Sequence, residues 1–174
     1  PMILSTGLGT VEEIDQAVEW ITEEVGPENL HKRLVLMHCV SAYPTPVEEA
    51  NVMSVPFLAD RYGLVVGYSN HVLGIEACLA ALSHGASVIE AHFTDQKKGR
   101  EFRDHELSLE LDDLALLVEM APRIRASLGQ FEKIRQTSEM PLLNLARKGI
   151  VASRDLSAGY VIQPDDLMYA RPAM

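Results

Sequence analysis

Short apolar runs alternate along this chain with longer stretches in which apolar residues recur every three or four positions. The short runs predict strands at 2–6, 34–39, 64–68 and 87–93. The longer stretches predict helices at about 11–25, 47–62, 73–84 and 111–128. Strands that alternate with helices of this length indicate an α/β fold with a parallel sheet.

Polar residues and glycines follow the carboxyl end of each predicted strand. They are Ser5, Thr6 and Gly7; Ser41 and Tyr43; Ser69, Asn70 and His71; and His92 and Thr94. Polar residues on this one rim are typical of a TIM-type (β/α)8 barrel, whose chemistry sits at the carboxyl ends of its strands. The four strand–helix units make half of such a barrel and would leave two strand edges unpaired. We therefore expect the chain to belong to a longer protein or to be completed by another copy.

The strand–helix rhythm stops near residue 129. The segment 129–148 is polar at first and is predicted to be a linker with some helix. Short strands around tight turns are predicted at 150–152, 155–159, 161–162 and 167–169. They indicate a separate small β module from 149 to 174.

Composition narrows the class of protein. The chain has 174 residues, of which 47% are hydrophobic and 23% charged, as in ordinary soluble proteins. Its net charge of −10 argues against a nucleic-acid-binding surface. No apolar run approaches the ~18 residues that would predict a membrane span, and the first residues do not resemble a signal peptide. Cys39 and Cys78 lie in apolar segments and are predicted to be buried and reduced, which favours a cytoplasmic protein.

His71 and His92 are the strongest candidates for chemistry. Each stands just past an apolar run, and one strand–helix–strand step separates them. In a parallel β/α fold both would reach the same rim, where two imidazoles suggest a divalent metal. A single histidine at a strand end is more often structural, so the hypothesis rests on the pair.

Other rim residues allow two interpretations each. Hydroxyls at strand-to-helix turns, as at Ser5 and Ser69, bind phosphate or simply cap a helix. Tyr43 projects into a site or packs. Asp104 lies in the polar loop 95–105 and is either functional or solvated.

Four segments resemble a known family. They are 3–7 (ILSTG), 38–46 (HCVSAYPTP), 67–71 (GYSNH) and 90–94 (EAHFT). In that order they resemble the N-acetylneuraminate (sialic acid) synthases, a group that includes legionaminate and pseudaminate synthases and the spore-coat polysaccharide protein E type. The tail from 150 to 172 resembles the start of the antifreeze-like (SAF, β-clip) domain of that family.

The resemblance implies a domain plan and a reaction. Residues 1–128 would be strands five to eight of the barrel, 129–148 a linker, and 149–174 the start of the antifreeze-like domain. Family members condense phosphoenolpyruvate with an N-acetylmannosamine-type sugar, release phosphate and form a nine-carbon 2-keto acid. They need a divalent metal, Mn²⁺ or Mg²⁺, and form domain-swapped homodimers, so we expect a cytoplasmic homodimer with these substrates.

The resemblance also implies residue roles. His71 and His92 match the metal ligands, and Ser5 and Ser69 match the serines that contact phosphoenolpyruvate. Ser41 and Tyr43 match the loop beside the substrate, with Tyr43 expected in the catalytic group. Asp104 matches a catalytic acidic residue near the metal and the sugar, and Arg171 matches an arginine that reaches the sugar site of the partner subunit.

Three features depart from the family pattern. Asn70 replaces the usual aspartate, Ala91 replaces the usual lysine, and the loop 96–103 has an unusual sequence. We expect Asn70 to weaken the support of His71 and Ala91 to remove a cation from the rim. These departures keep a rival hypothesis open, in which the chain is a non-catalytic remnant or an oligomerisation module. A metal-dependent barrel aldolase with an unrelated substrate is a third alternative, which the 43–46 motif disfavours.

Overall fold

The computed structural model describes residues 1–172, which fall into two compact units that divide after Gly129. In chain order, the first unit contains β1 (Met2–Ser5), α1 (Val11–Val25), α2 (Pro27–Arg33), β2 (Leu34–His38), a 3₁₀ turn (Val47–Glu49), α3 (Ser54–Tyr62), β3 (Val65–Asn70), α4 (Glu76–Ser83), β4 (Ile89–Ala91), α5 (Asp104–Leu107) and α6 (Leu111–Leu128). The predicted alternation of strands and helices is confirmed.

The four strands of this unit form one parallel sheet in the order β1-β2-β3-β4. Adjacent strands are in register with Ser5 opposite Met37, and Ser69 opposite Glu90. Each strand therefore lies beside the next one in sequence, as expected for consecutive β/α units. The carboxyl ends of all four strands meet at one edge of the sheet.

The sheet has two unlike faces, because successive side chains of a strand point to opposite sides. On the side that we call the helix face, Leu34, Leu36, Val66 and Tyr68 are nearly inaccessible and pack in the core with residues of the helices. We call the opposite side the open face, where Ile3 is 58% exposed. Apolar burial on the helix face supplies most of the stabilisation of this unit.

Helix α1 begins and ends where the sequence predicts. The Thr10 amide donates to Glu13 Oε2 at 2.7 Å, and the Glu13 amide donates to Thr10 Oγ1 at 3.3 Å. This reciprocal pair satisfies two amides that the helix itself leaves unpaired. Ile14 is buried, as its place in the apolar stripe requires.

The predicted helix 47–62 is wrong in its first half. Asn51 has a φ of 42°, in the left-handed region, and its side-chain Nδ2 donates to Ser54 Oγ at 3.0 Å. Such local side-chain bonding competes with helix, so the helix begins only at Ser54. Helix α2 is absent from the prediction, although Pro27 at its first turn and basic residues in its last turn are start and stop signals.

The buried side chains of this unit include ionisable groups. Cys39 and Cys78 are both free and buried, as predicted, and burial raises the pKa of the Cys78 thiol to about 12. Burial also raises the pKa of Tyr68 to about 12. The His38 ring donates from Nε2 to the Ala50 carbonyl at 2.9 Å, and burial lowers the pKa of that ring.

The second unit begins at Gln130. It contains a 3₁₀ helix (Thr137–Leu142), α7 (Leu143–Ala146), β5 (Gly149–Ala152), a 3₁₀ turn (Pro164–Asp166) and β6 (Leu167–Ala170). Strands β5 and β6 pair antiparallel. The predicted strands at 155–159 and 161–162 are wrong, since both segments are turns or irregular.

The buried carboxylate of Asp166 organises this small module. It accepts from the Gln163 amide at 2.9 Å and from the Arg154 side chain. The first of these bonds is the main reason that the pKa of Asp166 is lowered. The identity of the module as an antifreeze-like domain stays a prediction, and the last two residues of its predicted 149–174 range lie outside the described residues.

None of the helices within residues 1–172 has the length and apolar character that crossing a membrane requires.

Candidate functional site

Polar side chains gather on the open face where β3 and β4 end. Ser69 Oγ donates to Glu90 Oε1 at 2.7 Å, and these two residues are register partners on the adjacent strands. His71 and His92 stand two residues further along on the same face. The arrangement therefore builds a polar floor of Ser69 and Glu90 beneath two imidazoles.

The two histidine rings lie close together, as their equivalent positions predict. Their centroids are 5.4 Å apart, with the ring planes at 66°. His71 is buried, and its Nδ1 donates to the Val40 carbonyl at 2.7 Å. A carbonyl oxygen can only accept, so the proton of neutral His71 sits on Nδ1 and Nε2 keeps a lone pair.

The loop after β2 closes over His71. The Thr45 amide donates to the His71 carbonyl at 2.8 Å, so two backbone contacts tie this loop to the histidine. The Tyr43 ring lies 4.2 Å from the His71 ring and 6.0 Å from the His92 ring, centroid to centroid. Tyr43 thus borders the histidine pair, as its predicted place beside the substrate requires.

Asp104 reaches the same place from the first turn of α5. Its Oδ2 lies 3.9 Å from His92 Nδ1, and its Oδ1 lies 3.6 Å from Arg103 Nε. A carboxylate beside Nδ1 favours the tautomer with the proton on that atom. Nε2 of His92 is then unprotonated and keeps a free lone pair, as Nε2 of His71 does.

These residues fit a divalent metal by the chemistry of their donor atoms. Neutral imidazole nitrogens oriented by a carbonyl or a carboxylate are typical metal ligands. Within residues 1–172, no three His, Cys, Asp or Glu side chains form a group able to hold a metal ion. Two imidazoles alone leave most coordination positions to water and substrate atoms. The metal-ligand role of His71 and His92 stays a prediction.

The predicted serines are placed unequally. Ser69 is buried in the floor beneath the histidines. Ser5 ends β1, two strands away from Ser69, and lies on the open face because Leu4 before it packs in the core. Ser41 follows β2 and lies against the first turn, where a Cβ at Gly7 would collide with its Oγ. A residue larger than glycine at position 7 would displace this serine.

Asn70 and Ala91 lie on the helix face, not beside the histidine rings. Asn70 is 1% exposed and donates from Nδ2 to the Val72 and Gly74 carbonyls at 2.9 and 3.1 Å. Ala91 packs against the core. The expectation that Ala91 removes a cation from the rim stays a prediction. Asn70 supports the turn after β3 through its own hydrogen bonds.

Sequence reasoning missed two residues of this cluster. Glu90 precedes His92 by two positions, and strand alternation alone would have assigned it to the same face. Arg103 lies with its guanidinium carbon 5.4 Å from the Tyr43 ring centroid. No periodicity predicts a contact made by a loop. Arg171 follows β6 in the second unit, and its predicted role at a sugar site stays a prediction.

The parallel β/α sheet and the polar cluster at its carboxyl edge are those of a β/α half-barrel with a candidate site on its rim. The chain belongs to the NeuB family, whose model matches residues 1–133. The resemblance seen in its motifs is thereby confirmed.

Relatives and a solved structure agree with this membership. The chain is 37% identical over 172 residues to uncharacterized protein MJ1065 of Methanocaldococcus jannaschii, covering 99% of this chain and 49% of the relative. It is 36% identical to N,N'-diacetyllegionaminic acid synthase of Campylobacter jejuni, covering 99% of this chain and 50% of the relative. The crystal structure of N-acetylneuraminic acid (sialic acid) synthetase from Leptospira borgpetersenii matches with a TM-score of 0.71 and 37% identity, over 80% of this chain and 46% of that one.

The structural match shows that the four-stranded sheet is a curled half-barrel. The chain spans about half the length of the curated relatives it matches. The numbering of its strands as five to eight stays a prediction.

Proposed function

We propose that the whole protein containing this chain is a cytoplasmic transferase of surface-carbohydrate biosynthesis. It condenses phosphoenolpyruvate with an N-acetylmannosamine-type sugar, forms a nine-carbon 2-keto acid and releases phosphate. The observation that carries the proposal is the cluster of His71, His92 and Tyr43 at the carboxyl ends of β3 and β4 in a NeuB-family chain. The printed names of relatives, which include a diacetyllegionaminic acid synthase, support it.

In this proposal His71 and His92 hold Mn²⁺ or Mg²⁺ through their Nε2 atoms. When bound, the ion supplies Lewis acidity toward the carbonyl oxygen of the open-chain sugar. The Val40 carbonyl fixes the tautomer and the ring orientation of His71. Asp104 favours the matching tautomer of His92 and adds a negative charge at the edge of the site.

The serines bind the anionic donor substrate. Ser5 and Ser69 present hydroxyls on the open face, where they hydrogen-bond the carboxylate and phosphate oxygens of phosphoenolpyruvate. Ser69 is held in place by Glu90, whose carboxylate accepts a hydrogen bond from the Ser69 hydroxyl. Ser41 and Tyr43 border the substrates from the loop after β2 and limit the access of water.

The bond changes of the proposed reaction balance without a redox partner. Carbon 3 of phosphoenolpyruvate bonds to the aldehyde carbon of the sugar, and the π electrons of the aldehyde move to its oxygen. Water adds to carbon 2, and one of its protons converts the aldehyde oxygen to a hydroxyl. The bond from carbon 2 to the bridging oxygen then breaks, phosphate leaves with that oxygen and the second proton, and carbon 2 becomes the ketone of the product. Binding both substrates on one rim makes the attack effectively unimolecular, which lowers its entropic cost.

The proposal includes the assembly. The second unit is the start of an antifreeze-like domain, and the protein is a domain-swapped homodimer in which Arg171 of one subunit serves the sugar site of the other. The basis is the sequence resemblance of residues 150–172.

A phosphate-release assay tests the proposal. The whole protein is incubated with phosphoenolpyruvate, Mn²⁺ or Mg²⁺ and a panel of N-acetyl amino sugars. We expect release that requires both a metal and at least one sugar, and a control without sugar measures simple hydrolysis. If none of the sugars in the panel leads to phosphate release, although the protein binds metal and oligomerises, the result would favour the oligomerisation module instead.

A further inference from the structure

Positive charge is concentrated in one loop at the edge of the candidate site. The loop between β4 and α5 carries Lys97, Lys98, Arg100 and Arg103, in a chain with a net charge of −10. Among them, Arg103 lies against Tyr43 and Asp104, the two residues that border the histidine pair. Its guanidinium carbon lies 5.4 Å from the centroid of the Tyr43 ring, which itself lies 4.2 Å from that of His71.

Two arginines of this loop differ in how closely a carboxylate pairs with each guanidinium. Arg100 donates from Nη2 to both carboxylate oxygens of Asp95, at 2.9 and 2.8 Å. Arg103 has only Asp104 Oδ1 nearby, at 3.6 Å from its Nε, which is too long for a hydrogen bond. The structure gives the Arg103 guanidinium no hydrogen bond to a protein acceptor within residues 1–172, and the side chain is 70% exposed.

The contact with Tyr43 orients Arg103 without neutralising it. A guanidinium over an aromatic ring is held by the ring quadrupole and keeps its N–H donors for other acceptors. Its planar fork matches the oxygens of a phosphate or a carboxylate, which it binds through two parallel hydrogen bonds. The position, the free donors and the charge together describe an anion-binding group at the mouth of the site.

We propose that Arg103 is a substrate-binding residue that takes a phosphate or carboxylate group of a substrate held at the His71–His92 rim. This inference rests on the proposed condensation, because it assumes that an anionic substrate reaches this rim. Two substrates supply the same chemistry, namely phosphoenolpyruvate and a phosphorylated acceptor sugar. Arg103 then decides how strongly the site prefers an anionic ligand over a neutral one.

The test measures binding in the whole protein and compares R103A with R100A, a matched loop arginine whose partner is Asp95. Calorimetry gives the Kd of phosphoenolpyruvate, of N-acetylmannosamine 6-phosphate and of N-acetylmannosamine, each alone. We expect R103A to weaken one anion about 10- to 100-fold, the loss of a charge-assisted hydrogen bond, and to leave the neutral sugar unchanged. R103K keeps the charge but loses the fork, so it restores only part of the affinity.

The affinity that R103A loses identifies the ligand. A loss confined to phosphoenolpyruvate assigns Arg103 to that substrate, and a loss confined to the sugar phosphate assigns it to the acceptor. Unchanged affinity for both anions in R103A, or an equal loss in R100A, overturns the inference.

Phosphate release measured in parallel separates this inference from the proposed function. If the wild-type protein binds the anions but releases no phosphate, the proposed condensation is contradicted. Arg103 is still assigned as an anion-binding residue in that case, provided that R103A binds an anion more weakly. A protein that condenses normally while R103A binds both anions like wild type overturns only the arginine.

Discussion

The helix face and the open face of the same sheet are built from neighbouring residues and serve different purposes. On β3, Tyr68 and Asn70 are buried under the helices, whereas Ser69 and His71 form part of the polar cluster on the other side. A one-residue step along the strand therefore separates a residue of the packed core from one of the candidate site. Substitutions on the two faces are expected to change different measurements.

The largest effect is expected for the histidine pair. His71→Ala and His92→Ala each remove one of the two proposed protein ligands, so we expect both Mn²⁺ binding and metal-dependent phosphate release to be abolished. This loss exceeds the ~10- to 100-fold that is typical when a residue hydrogen-bonded to a metal ligand is replaced. Mn²⁺ titration followed by electron paramagnetic resonance measures the binding. His84→Ala, on the exposed end of α4, is the matched control and leaves both unchanged. Full phosphate release in either variant would show that the metal assignment is wrong.

Leu36→Ala tests the helix face by itself. Leu36 is fully buried, so the cavity lowers the free energy of unfolding by about 2–5 kcal/mol. Urea denaturation measures that loss. Leu111→Ala, at a position 68% exposed, serves as the control and changes stability by less than ~0.5 kcal/mol. Mn²⁺ affinity of folded Leu36→Ala stays at the wild-type value, and a parallel fall in affinity would mean that the two faces are not independent.

Asn70→Asp changes a buried helix-face residue next to His71 and installs the aspartate that the sequence resemblance leads us to expect there. A carboxylate cannot donate to the Val72 and Gly74 carbonyls, which then lose their partner in a buried site. We expect a loss of about 1–3 kcal/mol in the free energy of unfolding and no gain in Mn²⁺ affinity. Thermal and urea unfolding give the first quantity, with exposed Asn144→Asp as the control. A stability equal to wild type would show that the Asn70 amide is dispensable.

The smallest effect concerns pH and His38 on the helix face. Burial lowers the pKa of folded His38 below its ordinary value of 6.5. As pH falls, the unfolded chain therefore takes up the proton before the folded protein does. The contribution of His38 to the free energy of unfolding is present above pH 6.5 and is lost on acidification below it. His38→Gln keeps a donor for the Ala50 carbonyl but does not titrate.

Unfolding free energies at pH 7.5 and 5.5 check this difference. Wild type is expected to lose more stability on acidification than His38→Gln. Equal pH dependence of the two proteins would show that folding does not lower the pKa of His38.

Local signals explain how much of the fold was predictable. The start of α1 follows from the Thr10–Glu13 capping box and its end from Gly26. Helix α6 keeps its predicted range of 111–128, although Pro122 lies inside it. The error at 47–62 has a local cause, since the left-handed Asn51 breaks a pattern that is apolar enough for one long helix. Periodicity reports which residues are buried and says little about a single backbone angle.

The candidate site was predictable only in part. Strand ends in a parallel fold share one edge, which brought His71 and His92 together in the prediction. The hydrogen bond between Ser69 and Glu90 depends on the register of β3 and β4, and register is a tertiary property. The approach of Arg103 to Tyr43 joins two loops that lie far apart in sequence, so no short-range pattern encodes it.

The hydrogen bond from His71 Nδ1 to the Val40 carbonyl gives the molecule its own spectroscopic probe. An imidazole proton held at 2.7 Å donor–acceptor distance on a buried ring exchanges slowly with water. It is therefore observable by proton NMR, well away from the backbone amides. If Mg²⁺ binds at Nε2 as proposed, this diamagnetic ion would withdraw electron density from the same ring and move that resonance. Occupancy of the proposed metal site could then be followed in solution without substrate or turnover.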